Sequence, residues 1–344
     1  METIWFLIVA LMLTTYVLLD GFDLGAGLVH LWAARTSEER ATVIRAVGPV
    51  WDGNEVWLLA SGGALFVAFP LLLATAFSGF YLPLMILLWL LTGRALGIEF
   101  RHQLEQPAWT AFWDVVFSLS SGLLALFLGV ALGNVVRGVP FGPDGDFFEP
   151  LWASPGSGSG ILDGYTVLTG LTATAALAHH GSLWIALKTE GVLQERARRS
   201  AKWSGWATAA LLLGATIWTR SLQPHAASRF ASQPWGYLLP LAAAGGLGAA
   251  LFLRRRRHDL AAFLGSSLFL AAMLGAVAFS LYPYVLPSST DPARGLTIHN
   301  AAAPASGLRT ALTWWIPGMV PVIGYFVFIY RRFSGKVDAS GHGY

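Results

Sequence analysis

The sequence contains no cysteine, and only 12% of its 344 residues are Asp, Glu, Lys or Arg. The first absence excludes disulfides, thiolate zinc sites and iron–sulfur clusters held by this chain. The second excludes a soluble domain, which carries about 25% charged residues to cover its surface. A net charge of +3 is too small to suggest nucleic acid. No Ser-His-Asp arrangement, P-loop or metalloprotease motif is present. Nor do matching halves carry the short broken spans that mark secondary transporters.

What remains is apolar: 55% of the residues are hydrophobic, and the mean hydropathy is positive. Long apolar runs recur along the whole length, the mark of bilayer-spanning helices. Hydropathy predicts nine spans, at 4–32, 47–74, 77–98, 111–136, 161–187, 203–219, 237–253, 259–284 and 310–330. The boundary between spans two and three, around Pro70 to Ser78, is the least defined. The N-terminal run has no basic flank and continues past Asp20 and Asp23, so it reads as a retained first helix, not a signal peptide.

The basic residues give an orientation. Connections after odd-numbered spans, with the C-terminal tail, hold 17 of the 22 Lys and Arg; the other face holds Arg137, Arg220, Arg229, Arg294 and Arg309. By the positive-inside rule the odd-numbered connections are cytoplasmic, the N-terminus outside and the C-terminus inside. Tryptophans at the predicted span ends, such as Trp109, Trp203, Trp235 and Trp314, read as interfacial anchors. The loops 137–160 and 285–309, rich in Gly, Pro and Ser, read as ordered caps or partner contacts.

Charges within spans cost ~2.5–3.5 kcal/mol each at mid-helix, so each needs a reason. Span one carries Asp20 and Asp23, three apart and therefore on one face; span two opens with Asp52 and Glu55, spaced the same way. Glu99 and Arg101 end span three, Asp114 begins span four, and His179 and His180 lie late in span five. All fall toward the predicted cytoplasmic side. One reading makes these groups helix caps and ion pairs with Arg45, Arg94 or Arg101. The other makes them a proton path, because neighbouring carboxyls in a low dielectric titrate as a coupled set. For Asp20 and Asp52 the second reading is favoured; for Asp23, Glu99 and Asp114 the first. His179 and His180 point about 100° apart, and no two spans offer facing His or Met at matched depth for a haem.

Several segments are similar to subunit II of the cytochrome bd quinol oxidases. These are Asp20-Gly-Phe-Asp-Leu-Gly-Ala-Gly27, Gly48-Pro-Val-Trp-Asp-Gly-Asn-Glu-Val-Trp-Leu-Leu59, Gly62-Gly-Ala-Leu-Phe66 and Ala68-Phe-Pro70. Glu99-Phe-Arg101, His180-Gly181, Lys188-Thr-Glu-Gly191, Leu286-Pro-Ser-Ser289 and Leu296-Thr-Ile-His-Asn-Ala301 extend the likeness to most of the chain.

The resemblance implies an all-α polytopic membrane protein of nine helices. They form two four-helix bundles (1–136 and 161–284) plus one peripheral helix (310–330). It implies a chain without haem or metal, paired in the bacterial inner membrane with a subunit I that carries haems b and d, and possible company from a small accessory subunit. The complex would oxidise quinol and reduce dioxygen to water, taking protons from the cytoplasm. Asp52, with Asp20 nearby, would stand on the proton path and Trp57 by an oxygen path; the residues themselves add Glu55 and Asp23 as candidates beside that path and Glu99, Arg101 and Arg94 as structural ion pairs. Alternatives from other classes are a stand-alone proton-coupled transporter and a purely structural scaffold.

Overall fold

The computed structural model describes residues 1–152 and 159–337; part of the predicted 137–160 cap and His342 lie outside them. The described helices are α1 (Glu2–Ala33), α2 (Ser37–Val47), α3 (Trp51–Ala68), α4 (Pro70–Gly79), α5 (Tyr81–Phe100) and α6 (Pro107–Arg137). Then come α7 (Gly164–Lys188), α8 (Gly191–Leu222), α9 (Pro224–Ser232), α10 (Leu238–Arg255), α11 (Asp259–Leu281) and α12 (Ala305–Arg332). Among the described residues, six helical segments are long and apolar enough to cross a membrane: α1, α5, α6, α10 with the turn before it, α11 and α12. A seventh follows if α3 and α4 count as one bent span. α7 and α8 have the length but less apolarity, since α7 carries threonines and paired histidines and the first third of α8 is charged.

The structure departs from the hydropathy reading at four places. Span two does not run straight to residue 74: it breaks at Phe69, and α4 leaves α3 at 120°. The cause is Pro70, which has no N–H to donate and forces Phe69 out of the helical region, to φ −135 and ψ 63. The connection after α1 is not loop but α2, too polar for a hydropathy scan to register. Its N-terminus is fixed by a capping box in which Thr36 Oγ1 accepts from Glu39 N–H while the Glu39 carboxylate accepts from Thr36 N–H. α8 begins at Gly191 rather than near 203. Finally, the predicted cap at 285–309 includes a short antiparallel hairpin, β1 (Tyr284–Leu286) with β2 (Leu296–Thr297).

α1 is the central element. It packs against α3, α6 and α7, and every residue from Asp20 to Gly27 is buried. Its crossing with α7 is backbone on backbone. A Cβ at Gly25 would lie 1.9 Å from the Leu177 carbonyl oxygen, and one at Gly181 would lie 2.2 Å from Ala26 N. With no hydrophobic drive between helices in lipid, such close approach is what supplies van der Waals contact. α12 is the opposite case, burying only Leu308. α6 has Asp114 in its second turn and Arg137 at its end, ~35 Å apart at ~1.5 Å per residue, so the two mark opposite ends of the bundle.

Two outcomes are expected from this architecture. Gly25→Ala should lower the thermal unfolding midpoint in detergent by an amount equivalent to ~1–3 kcal/mol or more. Gly62→Ala, where nothing lies within 4 Å of the added methyl, should leave it unchanged. Docking of α2 should also depend on pH. Burial alone would raise the Glu39 carboxyl, but the N–H groups of Arg35 and Thr36 and the Arg196 guanidinium donate to it and hold it below the usual carboxylate range. Such a group stabilises the fold above its unfolded value and loses that contribution as pH falls through the lowered one. Hydrogen exchange should therefore find α2 protected at neutral pH and loosening only in acid; equal exchange at both would contradict this.

Candidate functional site

Tyr16, Asp20 and Asp23 are all buried on α1, at spacings of four and three residues that put them on one face. Opposite them α3 buries Asn54, Trp57, Ser61, Ala64 and Ala68, again three or four apart. α5 contributes Arg94, fully buried, and this guanidinium joins the helices. Its Nη1 donates to Asp20 Oδ1 at 2.5 Å, and its Nη2 donates to Glu55 Oε2. The guanidinium carbon also lies 5.8 Å from the centre of the Trp51 ring, within cation–π range. One cation thus serves two carboxylates from two helices, while Asp23 remains without an ion-pair partner among the described residues. Tyr16 Oη, Asp20 Oδ2, Asp23 Oδ1, Arg94 Nε and Trp57 Nε1 are buried with no hydrogen-bond partner among the described residues. A polar, unsaturated cluster therefore sits in the middle of an apolar bundle.

Asp23 belongs to a second chain of bonds. The Asn54 amide donates through Nδ2 to Asp23 Oδ2 at 2.7 Å, and Asn54 Oδ1 accepts from the Tyr330 hydroxyl at 2.8 Å. Tyr330 comes from α12, over three hundred residues away in sequence. Asp52 points the other way. It lies with Val56, Leu59 and Phe66 on the face of α3 turned away from α1, and it is exposed on this chain. Trp57 is 9% exposed and packs on Phe326 of α12 at 5.5 Å.

A further cluster lies nearer the α2 end. Asp114 Oδ1 accepts from Arg101 Nε at 2.7 Å and faces His30 Nε2 at 2.8 Å, and Arg40 stands 3.5 Å from its other oxygen. Arg101 also donates to the Ser37 carbonyl, which ties α2 to α5 and α6. Beside the cluster opens a groove of about 370 Å³ lined by Ser37, Arg40, Glu105, Gln106, Thr110 and Asp114. Glu99 is exposed in the last turn of α5, whereas Arg101, which follows it, is buried.

The paired histidines are structural in their surroundings. His180 Nε2 donates to the Leu18 carbonyl at 3.0 Å, so Nδ1 accepts from the Ser266 hydroxyl at 2.6 Å. His179 Nδ1 donates to the Ala201 carbonyl at 2.7 Å. The His179 ring is packed so closely that a methyl on Gly205 would come within 2.8 Å of its Nδ1, and its Nε2 is buried with no hydrogen-bond partner among the described residues. Among the described residues no three His, Asp or Glu side chains converge as a metal cage.

The chain matches the family described as cytochrome bd terminal oxidase subunit II over residues 1–333. It belongs to that family. It is 32% identical over 339 residues to the cytochrome bd ubiquinol oxidase subunit 2 of Bacillus subtilis, covering 98% of this chain and 97% of that one. With the cytochrome bd-I ubiquinol oxidase subunit 2 of Escherichia coli K12 it shares 30% identity over 371 residues, covering 97% and 94%. The fold is similar to a chain of the bd oxidase of Geobacillus thermodenitrificans, with a TM-score of 0.76 at 19% identity, covering 96% of this chain and 98% of that one.

Within this subunit II chain, then, Asp20 and Glu55 meet on Arg94, Asp23 stands beside them on a separate arm, and Asp52 faces outward. Sequence reading did not single out Asn54, Tyr16, Tyr330 or His30. Asn54 lies inside the Trp51–Trp57 string, and its rhythm with Trp57 and Ser61 marks the α1-facing side of α3. Tyr330 carries no local signal, since its partner is set by tertiary contact alone.

Removing the shared cation should be costly. Arg94→Gln leaves two carboxylates buried without compensation and is expected to destabilise the chain by ~3–5 kcal/mol. Adding Asp20→Asn and Glu55→Gln to it should return most of that loss. Thermal unfolding of the single and triple variants in detergent checks this, and equal stabilities would show that the ion pairs carry little.

Proposed function

We propose that this chain is the haem-free second subunit of a bd-type quinol oxidase, which supports a haem-bearing subunit I and lines part of the proton route to its oxygen-reducing haem. The haems b and d belong to subunit I, and no step is assigned to haem in this chain. The complex couples oxidation of quinol to the four-electron reduction of dioxygen to water. It takes the chemical protons from the cytoplasm and so builds a membrane potential. A small accessory subunit is compatible with the assembly.

The chain crosses the bacterial inner membrane nine times, α3 with α4 counting as one broken span and α7 and α8 as full ones. Its N-terminus is outside and its C-terminus cytoplasmic, in two four-helix bundles and a peripheral helix. The ends of α1, α5 and α12 carrying His30, Arg101 and Arg331 lie together with α2, in keeping with an inner face rich in cations. Arg94, by contrast, is fully buried and so cannot count as an interfacial charge.

The observation that carries the proton-route reading is the guanidinium of Arg94 shared between Asp20 and Glu55 in an apolar bundle. Two carboxylates from two helices are thereby held as one charged group on a single cation. Asp52, exposed on an apolar face of α3, supports a route that continues into a covering partner, and Trp57 stands beside the α3–α12 seam as the candidate for an oxygen path.

Asp52→Asn should slow quinol-driven oxygen consumption by the purified complex several-fold while its b- and d-type absorption stays intact. Unchanged turnover would remove Asp52 from the route. Loss of haem and partner together would favour the scaffold, and substrate-driven proton uptake by this chain alone in liposomes would favour the transporter.

A further inference from the structure

We infer that Tyr330, on the most exposed helix of the chain, is a positioning residue that sets the geometry of the Asp23 carboxyl through the amide of Asn54. This deepens the proton-route reading above and rests on it. The inference begins with the amide itself. A primary amide can turn over by half a rotation, exchanging its donor and acceptor ends at nearly equal packing cost. At Asn54 both ends are committed. Nδ2 reaches Asp23 Oδ2 at 2.7 Å and the Leu19 carbonyl at 3.4 Å, while Oδ1 accepts from Tyr330 at 2.8 Å. The phenol is a donor here because Oδ1 can only accept. Without that donor, the turned-over amide would present its oxygen to the carboxyl and its NH₂ to the place now held by the phenol.

The consequence falls on Asp23. With the amide held as it is, Oδ2 receives a fixed donor and Oδ1 is the oxygen left buried and unpartnered. The carboxyl is therefore one-sided: Oδ2 is engaged by the Asn54 amide, and Oδ1 is the oxygen at which a proton can be taken up or passed. An amide does not relay protons as a hydroxyl or carboxyl does, so Asn54 closes the α12 side of the site and leaves the inner side open. Tyr330 is the lock on that arrangement.

The lock is itself held in place from the other bundle. Beyond α12 the chain crosses to the C-terminal end of α7, where helix-end carbonyls accept bonds from it. There Lys336 Nζ donates to Thr189 and Ala186 carbonyls at 2.8 and 3.2 Å, and Val337 N–H donates to the Lys188 carbonyl at 2.8 Å. Lys188 Nζ returns a bond to the Phe333 carbonyl at 2.5 Å. The Tyr330 ring is also braced between Phe326 at 6.3 Å and Trp184 at 6.4 Å. A helix that buries little is thus tethered just beyond the turn that carries the phenol, as the Trp5 indole holds its other end at the Leu308 carbonyl.

The test is a double-mutant cycle in the assembled complex, reading quinol-driven oxygen consumption and its pH dependence with haem absorption as the check on assembly. Tyr330→Phe removes the hydroxyl and keeps the ring. It should slow turnover several-fold and change the shape of the pH profile, because the groups facing Asp23 (Asp20 and Tyr16 on α1, Glu55 on α3, Arg94 on α5 and Tyr330 on α12) would meet a carboxyl free to present either oxygen. In an Asp23→Asn background the same change should have no further effect. Lys336→Met, which releases the tether but leaves the phenol, should reproduce part of the Tyr330→Phe effect. Equal fold-losses from Tyr330→Phe with and without Asp23, or a turnover lowered uniformly at every pH, would overturn the inference and leave the oxidase reading standing. A complex without b- and d-type absorption or quinol-driven oxygen consumption in its unmodified form would instead sink that reading.

Discussion

The close crossing of α1 and α7 at Gly25 and Gly181 is the constraint on which the rest of the molecule depends. Side chains at either position would hold the two backbones apart. Because they are absent, α1 sits in the middle, in contact with α3 and α6 as well as α7. Its stretch from Asp20 to Gly27 is thereby sealed from surroundings on every side. That burial makes Asp20 and Asp23, in the interior of α1, groups whose charge must be answered inside the protein. The polar chemistry is thus a consequence of packing, and the glycines that follow Asp20 in sequence are part of the same device.

The answer to that charge is incomplete. Arg94 balances Asp20 and Glu55 only in part, since one guanidinium faces two carboxylates with Asp23 close by. A buried ion pair is weak evidence for stability, because the desolvation of its members offsets much of their attraction and apolar replacements often do as well. A bundle selected for stability alone would have apolar residues at these positions. The cost is intelligible if carboxyls that outnumber their cation, with several unsaturated polar atoms, are the point. A fully matched set would keep its carboxylates ionised and take up no proton, and a fully apolar one would offer no group to take one. By contrast, the Asp114–Arg101–Arg40 cluster is saturated with donors from three elements and ties α2 to the ends of α5 and α6.

Much of this was legible before any coordinates. The apolar helical class, the positions of most helices and the three-residue spacing of the acids follow from periodicity and composition. The motif strings around Asp20 and Trp51 carry the family, which the match over residues 1–333 supports. What escaped did so for identifiable reasons. α2 is amphipathic and charged, so a hydropathy window passes over it. The break at Phe69 is visible as a proline, but proline alone does not say whether a span kinks or turns by 120°. The site's third dimension was the larger gap: periodicity puts Asp52 and Glu55 on neighbouring positions of one helix, yet the side of α3 that meets α1 is decided by Asn54, Trp57 and Ser61. Glu55 falls at the edge of that side and reaches Arg94, whereas Asp52 falls outside it. The Asn54–Tyr330 bond has no sequence signature, being made across the full length of the fold.

The opposite placement of Asp20 and Asp52 bears on why such a chain would need company. Asp20 is sealed within its own bundle; Asp52 ends a stripe of Val56, Leu59 and Phe66 that is 52%, 78% and 65% exposed on this chain. Lipid would suit the apolar part of that stripe and not the carboxylate, since an ion facing hydrocarbon has nothing to offset its lost hydration. A protein surface can supply both, packing against the apolar residues and bringing a donor or a polar channel to the acid. On the proposed reading the two halves of one proton path therefore lie on different sides of α3, one built by this chain and one completed by its neighbour. Glu55 lies between them, bonded through Arg94 to Asp20 and one helical turn from Asp52. Its carboxylate is partly exposed while bonded to Arg94, so on the proposed reading it is the group through which a proton passes from the seam to the buried acids.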